Sequence, residues 1–121
     1  MFDYEKLDVY SLIRKINTEV LRFIFSNSRI DFYIRDQWKR ATISAALNLA
    51  EGSGRTGIKD KKYFYYVSRA SIYECVAIIQ ILADQKLISK EAYDKYYSGY
   101  EKVSKMLLGI IRSAGKHQVL K

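Results

Sequence analysis

The distribution of helix-breaking residues constrains this fold more than any other feature of the sequence. The 121 residues include no proline and six glycines, three of which (Gly52, Gly54 and Gly57) fall within six positions. A β-sandwich or barrel needs turns about every 8–12 residues, so a single cluster of breakers argues against both. The length allows one compact domain, residues 1–121, and leaves no room for a second.

Apolar residues recur at steps of three and four along four segments, and this spacing indicates one face of an α-helix. We predict helices over residues 4–25, 32–51, 60–86 and 90–114, with Ser28 or Asp31 capping the second, Gly52 ending it and Ser89 capping the fourth. The core positions predicted from this spacing are Val9, Ile13, Ile16, Val20, Phe23, Ile34, Trp38, Ala41, Ala45, Leu49, Phe64, Val67, Ala70, Cys75, Ile78, Ile81, Leu82, Tyr93, Tyr96, Tyr100, Val103, Leu107 and Ile110. With short connections, the pattern predicts an all-α, antiparallel up-down-up-down four-helix bundle.

Two of these helices carry more apolar surface than one bundle can bury. The second helix has no charge between Ala41 and Ala50, and the first has an apolar flank beside its core face. Large exposed apolar patches are rare on monomers, so we predict a homo-oligomer assembled as a ring. The alternative is that long side chains cover these positions. The predicted interface residues are Leu7, Tyr10, Leu21, Phe25, Ile43 and Leu47.

A polar line follows the second helix at steps of three and four. Its members are mostly short hydrogen-bonding side chains, whereas a solvated face usually carries Lys and Glu. We expect a semi-buried network between the second and third helices, with Arg40 facing Glu74. A solvated face is the alternative. The residues of this predicted network are Gln37, Arg40, Ser44, Asn48, Glu51, Ser71 and Glu74.

The net charge of +8 is concentrated in two segments. Residues 52–62 hold four cations against one carboxylate, and residues 90–121 hold seven against three. An up-down-up-down bundle brings both segments to one end, where Asp3, Glu5 and Asp8 offset them in part. A basic end of this kind suits RNA or another nucleic acid, although the charge could serve solubility alone. The predicted nucleic-acid-binding residues are Arg55, Lys59, Lys61, Lys62, Arg112, Lys116 and Lys121.

No catalytic, cofactor or metal motif is supported by the sequence. The run from Gly52 to Gly57 spells G-x-G-x-x-G, but a helix precedes it where a dinucleotide site needs a strand. The one histidine, His117, has no Glu-x-x-His pattern around it, and Cys75 fits a small core residue better than a nucleophile. We therefore expect no enzyme, cofactor or metal. A single cysteine, with no signal peptide and no membrane span, indicates a cytoplasmic location.

Several blocks of residues resemble one known family. The longest is Gln37-x-x-Arg40-Ala41-x-x-Ser44-x-x-x-Asn48-Leu49-Ala50-Glu51-Gly52-x-Gly54-Arg55. It is similar to the signature of the small four-helix-bundle proteins encoded in 23S ribosomal RNA intervening sequences. Members often have proline where Ala46 stands and glycine where Ala70 stands, which implies a straighter second helix here and looser packing at residue 70.

The resemblance implies a homopentamer and carries no established activity. A similar family, the accessory proteins of diversity-generating retroelements, is a basic pentamer that partners a reverse transcriptase and nucleic acid. The sequence therefore predicts a non-enzymatic homo-oligomer that binds RNA or another nucleic acid. The alternative is a protein-interaction scaffold or accessory subunit without nucleic-acid contact.

Overall fold

Four α-helices account for nearly all of the structure. The computed structural model describes residues 1–119, and side chains through residue 114. The helices are α1 (Asp8–Ser26), α2 (Phe32–Ser53), α3 (Ile58–Asp84) and α4 (Lys90–Val119), and a 3-10 turn at Asp3–Lys6 precedes α1. No strand occurs among the described residues, and the all-α prediction is confirmed.

The helix ends differ from the sequence prediction by a few residues, each for a local reason. Leu7 is extended, with φ −82° and ψ 127°, so α1 begins at Asp8 rather than at residue 4. Asp31 caps α2, and its Oδ2 accepts a hydrogen bond from Tyr33 N at 2.9 Å. Gly52 does not end α2, which continues to Ser53. Ser89 Oγ accepts from Ala92 N at 3.1 Å at the start of α4.

Helix α3 buries a different set of residues from the one predicted. Ala70 is exposed and Ile81 is 49% exposed, whereas Tyr65, Ile72 and Ile79 are buried. Apolar and aromatic residues occur around most of the circumference of α3, so their spacing does not select one inward face. Contacts with both α2 and α4 decide which residues face inward. The cores of α1, α2 and α4 follow their predicted stripes, although Phe23, Ile34, Tyr93 and Ile110 are only half-buried.

Paired side chains fix how the helices pack. Between α2 and α3, Ser68 Oγ donates to Ala45 O at 2.6 Å and Ser71 Oγ donates to Ser44 Oγ at 2.9 Å. Other hydrogen bonds join α1 to α2 through Asn17 Nδ2 and Thr42 O (2.8 Å), α3 to α4 through Arg69 Nε and Ser104 O (3.1 Å), and α2 to α4 through Trp38 Nε1 and Tyr100 Oη (3.1 Å). These contacts hold the four helices in one bundle around a shared core.

Helix α3 is also the one helix, among the described residues, that is long and apolar enough to cross a membrane. Its most apolar 18-residue window has a mean hydropathy of 1.2, and 39% of that window is buried inside the bundle. Such a helix is by itself weak evidence for a membrane protein, because the core helix of a soluble bundle has the same length and composition.

Candidate nucleic-acid interface

The turn between α2 and α3 and the first turns of α3 carry four of the predicted nucleic-acid-binding residues, with Arg55 in the turn and the three lysines on α3. Arg55 lies across the start of α3, with its guanidinium 4.7 Å from the centroid of the Phe64 ring. Its Nε also lies 3.5 Å from Glu51 Oε2 on the last turns of α2. Because a carboxylate and an aromatic ring already hold this guanidinium, Arg55 contributes a fixed and partly neutralised positive charge to the turn.

Lys61 has a structural role that the sequence did not indicate. Its Nζ donates to Ser53 O at 2.8 Å and to Gly52 O at 3.3 Å, and the side chain is half-buried. These carbonyls belong to the last turn of α2, where the helix ladder ends and the helix dipole favours a cation, and Gly52 O also accepts from Arg55 N at 3.2 Å. Lys61 therefore caps the C-terminal end of α2. On the same turns of α3, Lys59 is exposed and Lys62 is half-buried.

Arg112 lies on α4 and is exposed. Between α3 and α4, Arg69 Nε donates to Ser104 O, and the side chains of Cys75 and Tyr100 are in contact. Lys62 precedes Arg69 by seven residues and Arg112 follows Ser104 by eight, about two helical turns in each case. Arg55, Lys59, Lys61, Lys62 and Arg112 are called the basic end from here on. Lys116 and Lys121, also predicted to bind nucleic acid, lie outside the residues whose side chains are described.

Of the three N-terminal carboxylates predicted to offset the basic end, Asp3 lies near the second turn of α3. Burial raises the pKa of Tyr65, on the second turn of α3, and the nearby Asp3 carboxylate raises it further. The 3-10 turn that carries Asp3 also contacts α2. The Asp3 carboxylate therefore lowers the positive potential around this part of α3.

The predicted ion pair between Arg40 and Glu74 is not formed. Arg40 Nε donates instead to Asp36 Oδ2 at 2.8 Å, one turn earlier on α2, and the Arg40 side chain is 73% exposed. The Arg40 hydrogen bond lowers the pKa of the Asp36 carboxyl. Side chains four residues apart on one helix are neighbours, whereas Glu74 lies on another helix. This explains why Arg40 pairs with Asp36. Glu74 is exposed on α3.

Part of the predicted polar line does join α2 to α3. Asn48 Nδ2 donates to Ser44 O and to Ser44 Oγ, both at 2.9 Å, and Ser71 Oγ donates to the same Ser44 Oγ. Gln37 is half-buried, and Glu51 is exposed and paired with Arg55. The network is thus smaller than predicted and consists of three short side chains.

The predicted oligomer-interface residues fall into two groups. Leu47 is 64% exposed, and Phe25 and Ile43 are exposed as well. Leu7, Tyr10 and Leu21 are half-buried and pack against the core of the same chain. Only the first group therefore offers apolar surface to a second copy.

A buried polar cluster in the core was missed by the sequence reasoning. Trp38 Nε1 donates to the Tyr100 hydroxyl, which also contacts the side chains of Thr42 and Cys75. Burial raises the pKa of the Cys75 thiol to about 11 and raises that of Tyr100 well above its usual range. At neutral pH the thiol is protonated and enclosed, which suits a structural residue and not a nucleophile. No cluster of three His, Cys, Asp or Glu side chains that could hold a metal occurs among the described residues.

Comparison with known proteins identifies the family. The model of the 23S rRNA-intervening sequence proteins matches residues 5–109, which include the turn between α2 and α3 and most of every helix. The chain belongs to this family. The resemblance seen in the sequence is confirmed.

A solved structure shows the same fold. It is the crystal structure of a protein of unknown function from the S23 ribosomal protein family of Bacteroides thetaiotaomicron, with a TM-score of 0.80 and 17% sequence identity. The alignment covers 85% of this chain and 97% of the other. At this identity the likeness establishes the fold alone. No curated protein matches the chain.

The surface of this 23S rRNA-intervening sequence protein also holds aromatic residues that the sequence reasoning left unassigned. Tyr63, Tyr66 and Tyr73 on α3 are all more than half exposed. The signal that could have found them is their position between the predicted core residues of α3, at steps of three and seven. Tyrosine is common both in cores and on binding surfaces, so the sequence alone did not separate these two uses.

Proposed function

We propose that this protein is a non-enzymatic, cytoplasmic homo-oligomer that binds RNA or another nucleic acid through its basic end. The proposal is supported by the closeness in sequence of Arg55, in the turn before α3, to Lys59 and Lys62 on the first turns of α3, and an antiparallel arrangement would bring Arg112 of α4 to the same level. Phosphate contacts from lysine and arginine supply most of the affinity in sequence-independent nucleic-acid binding. The Asp3 carboxylate offsets this charge only in part.

The antiparallel up-down-up-down arrangement is part of the proposal, because it brings the two charged segments together. It is supported by the pairing of Ala45 with Ser68 and of Arg69 with Ser104, together with the ion pair between Glu19 Oε1 on α1 and Lys95 Nζ on α4 at 3.1 Å. With this arrangement the turn between α2 and α3 and the later part of α4 share one end of the bundle.

Self-association into a ring, with five copies as the resemblance implies, is the second part of the proposal. It is supported by the exposed side chains of Ile43 and Leu47, which lie one turn apart on α2. Cyclic assembly would repeat the basic end around one rim. Several weak phosphate contacts could then act on one strand, and linked contacts bind far more tightly than each does alone.

The test of nucleic-acid binding is charge reversal at the basic end that spares Lys61, since Lys61 caps α2. We expect Lys59→Glu with Lys62→Glu to weaken binding of a labelled RNA and to lower the slope of log K against log salt by about 1 to 2, because each lost single-strand phosphate contact removes about 0.7. The measurement is fluorescence anisotropy at several salt concentrations. The control is Lys15→Glu with Arg29→Glu, which makes the same charge change at exposed positions on α1 and in the turn between α1 and α2.

The alternative function is a protein-interaction scaffold, which the exposed apolar residues of α2 favour. If the Lys59 and Lys62 variant stays assembled and binds RNA with the affinity and salt slope of the parent, the basic end is not a nucleic-acid site. A parent protein that binds no RNA at low salt, and that retains a protein partner at high salt, would support the scaffold.

A further inference from the structure

A groove lies between α3 and α4, and its Arg69 follows Lys62 of the basic end by about two helical turns on α3. It has a volume of about 530 Å³, which lies within the usual range for ligand pockets. Ile72, Val76 and Tyr100 form its apolar floor, and the side chains of Arg69, Tyr73, Gln80, Tyr97, Glu101 and Lys105 form its rims. These residues are called the α3–α4 groove. None of the residues of the α3–α4 groove belongs to the basic end or to the predicted oligomer interface.

The groove contains a cation that is already fixed in place. Arg69 Nε donates to Ser104 O at 3.1 Å, and the guanidinium lies 5.0 Å from the centroid of the Tyr73 ring. A guanidinium has five N–H donors, and this hydrogen bond uses the one on Nε. Arg69 is therefore held against an aromatic ring with its other donors still able to bind an anion.

Cations and tyrosines alternate along α3 from the basic end into the groove. Lys62, Tyr66, Arg69 and Tyr73 follow one another at steps of four, three and four, which places them on one face of the helix. Tyr66 and Tyr73 are 53% and 57% exposed. At 1.5 Å per residue this line is about 16 Å long. On α4, Arg112, Lys105 and Tyr97 follow one another at steps of seven and eight, and Lys105 and Tyr97 line the groove.

We propose that the α3–α4 groove binds single-stranded RNA that continues from the basic end. Phosphates contact Lys62, Arg69 and Lys105, and bases stack on the rings of Tyr66, Tyr73 and Tyr97. A positive groove with exposed aromatic rings is the arrangement by which proteins bind single strands without reading their sequence. The inference rests on the proposed function and narrows its ligand from nucleic acid in general to an unpaired strand.

The charge and chemistry of the groove favour a single RNA strand over a helix from a second copy or an RNA duplex. The rims of the groove carry two cations, Arg69 and Lys105, against one carboxylate, Glu101. A purely apolar helix from a second copy would leave these charges without matching partners, whereas a strand supplies phosphates to both cations. Glu101 provides an acceptor for the amino group of a base. A duplex keeps its bases stacked inside, so it could use the basic end but not the tyrosines.

The experiment compares a labelled 12-nucleotide oligouridylate with a 12-base-pair RNA duplex, by fluorescence anisotropy with the full chain. We expect Tyr73→Leu to raise the Kd for the oligouridylate about tenfold and to change that for the duplex less than twofold, because loss of one base–aromatic stack costs about 5- to 150-fold. The matched control is Tyr33→Leu, an exposed tyrosine at the start of α2, which should leave both Kd values unchanged. Lys105→Gln should weaken oligouridylate binding more than Lys15→Gln, and neither surface change should alter the circular dichroism spectrum.

Several outcomes would overturn the inference. If Tyr73→Leu and Lys105→Gln bind the oligouridylate like the parent, while the Lys59 and Lys62 variant binds it weakly, the basic end is the site and the groove is not. If Tyr73→Leu changes the oligomer mass and leaves RNA affinity unchanged, a second copy occupies the groove. If the parent binds neither RNA, the proposed function fails and the inference fails with it.

Discussion

At the scale of single residues, Gly52 shows how closely α2 and α3 approach beside the basic end. A Cβ added at Gly52 would lie 2.9 Å from Cδ1 and Cε1 of the buried Tyr65 ring and 3.0 Å from Phe64 Cβ. We expect Gly52→Ala to lower the free energy of unfolding by about 1–3 kcal/mol, as overpacked core positions do. The control is Gly109→Ala, where an added Cβ meets nothing within 4 Å. It should raise stability by about 0.5–1 kcal/mol through helix propensity. Urea denaturation measures both, and a gain in stability for Gly52→Ala would contradict the tight contact.

The sequence predicted where charge is concentrated but not what each charged side chain contacts. Counting residues located Arg55, Lys59 and Lys62, because excess charge is a property of composition. The capping of α2 by Lys61 depends on how the turn brings Nζ back to two carbonyls, and spacing alone does not show this. The pairing of Arg40 with Asp36 follows a local rule of helices, and the sequence reasoning overlooked it by seeking a partner on another helix.

At the scale of helices, prediction succeeded where apolar residues form a stripe and failed where they surround the helix. Val9, Ile13, Ile16 and Val20 of α1 were all assigned to the core and are all buried, because polar residues separate them. In α3 the same rule placed Ile81 inside, although it is exposed. Which side of such a helix is buried depends on the neighbours it packs against, and this information is not local.

The end of α3 offers a test at the same scale. Lys86 has φ 57°, a left-handed conformation in which glycine is usual, and Leu87 N and Lys86 N donate to Leu82 O and Ala83 O at 2.9 and 3.0 Å. Since a side chain in this conformation costs about 1–2 kcal/mol, Lys86→Gly should raise the free energy of unfolding by about 0.5–1 kcal/mol, after the greater chain entropy of glycine is subtracted. Gln85→Gly is the matched control, because Gln85 has an ordinary φ of −87°, and it should lower stability. Thermal and urea melts that rank the two variants the other way would show that the left-handed turn is not strained.

At the scale of the whole molecule, exposed apolar surface on α2 predicts self-association. Light scattering at micromolar concentration should give a mass that is a multiple of 14.1 kDa, with five the multiple that the family resemblance implies. Leu47→Glu should dissociate the assembly and leave the helical circular dichroism signal intact, because Leu47 is exposed in the single chain and a charge there does not enter the core. Phe32→Glu, at an exposed position at the start of α2 and outside the predicted interface, is the control and should leave the mass unchanged. A parent protein that stays monomeric over a wide concentration range would refute the assembly, and a Leu47→Glu variant with the parent's mass would move the interface away from this face of α2.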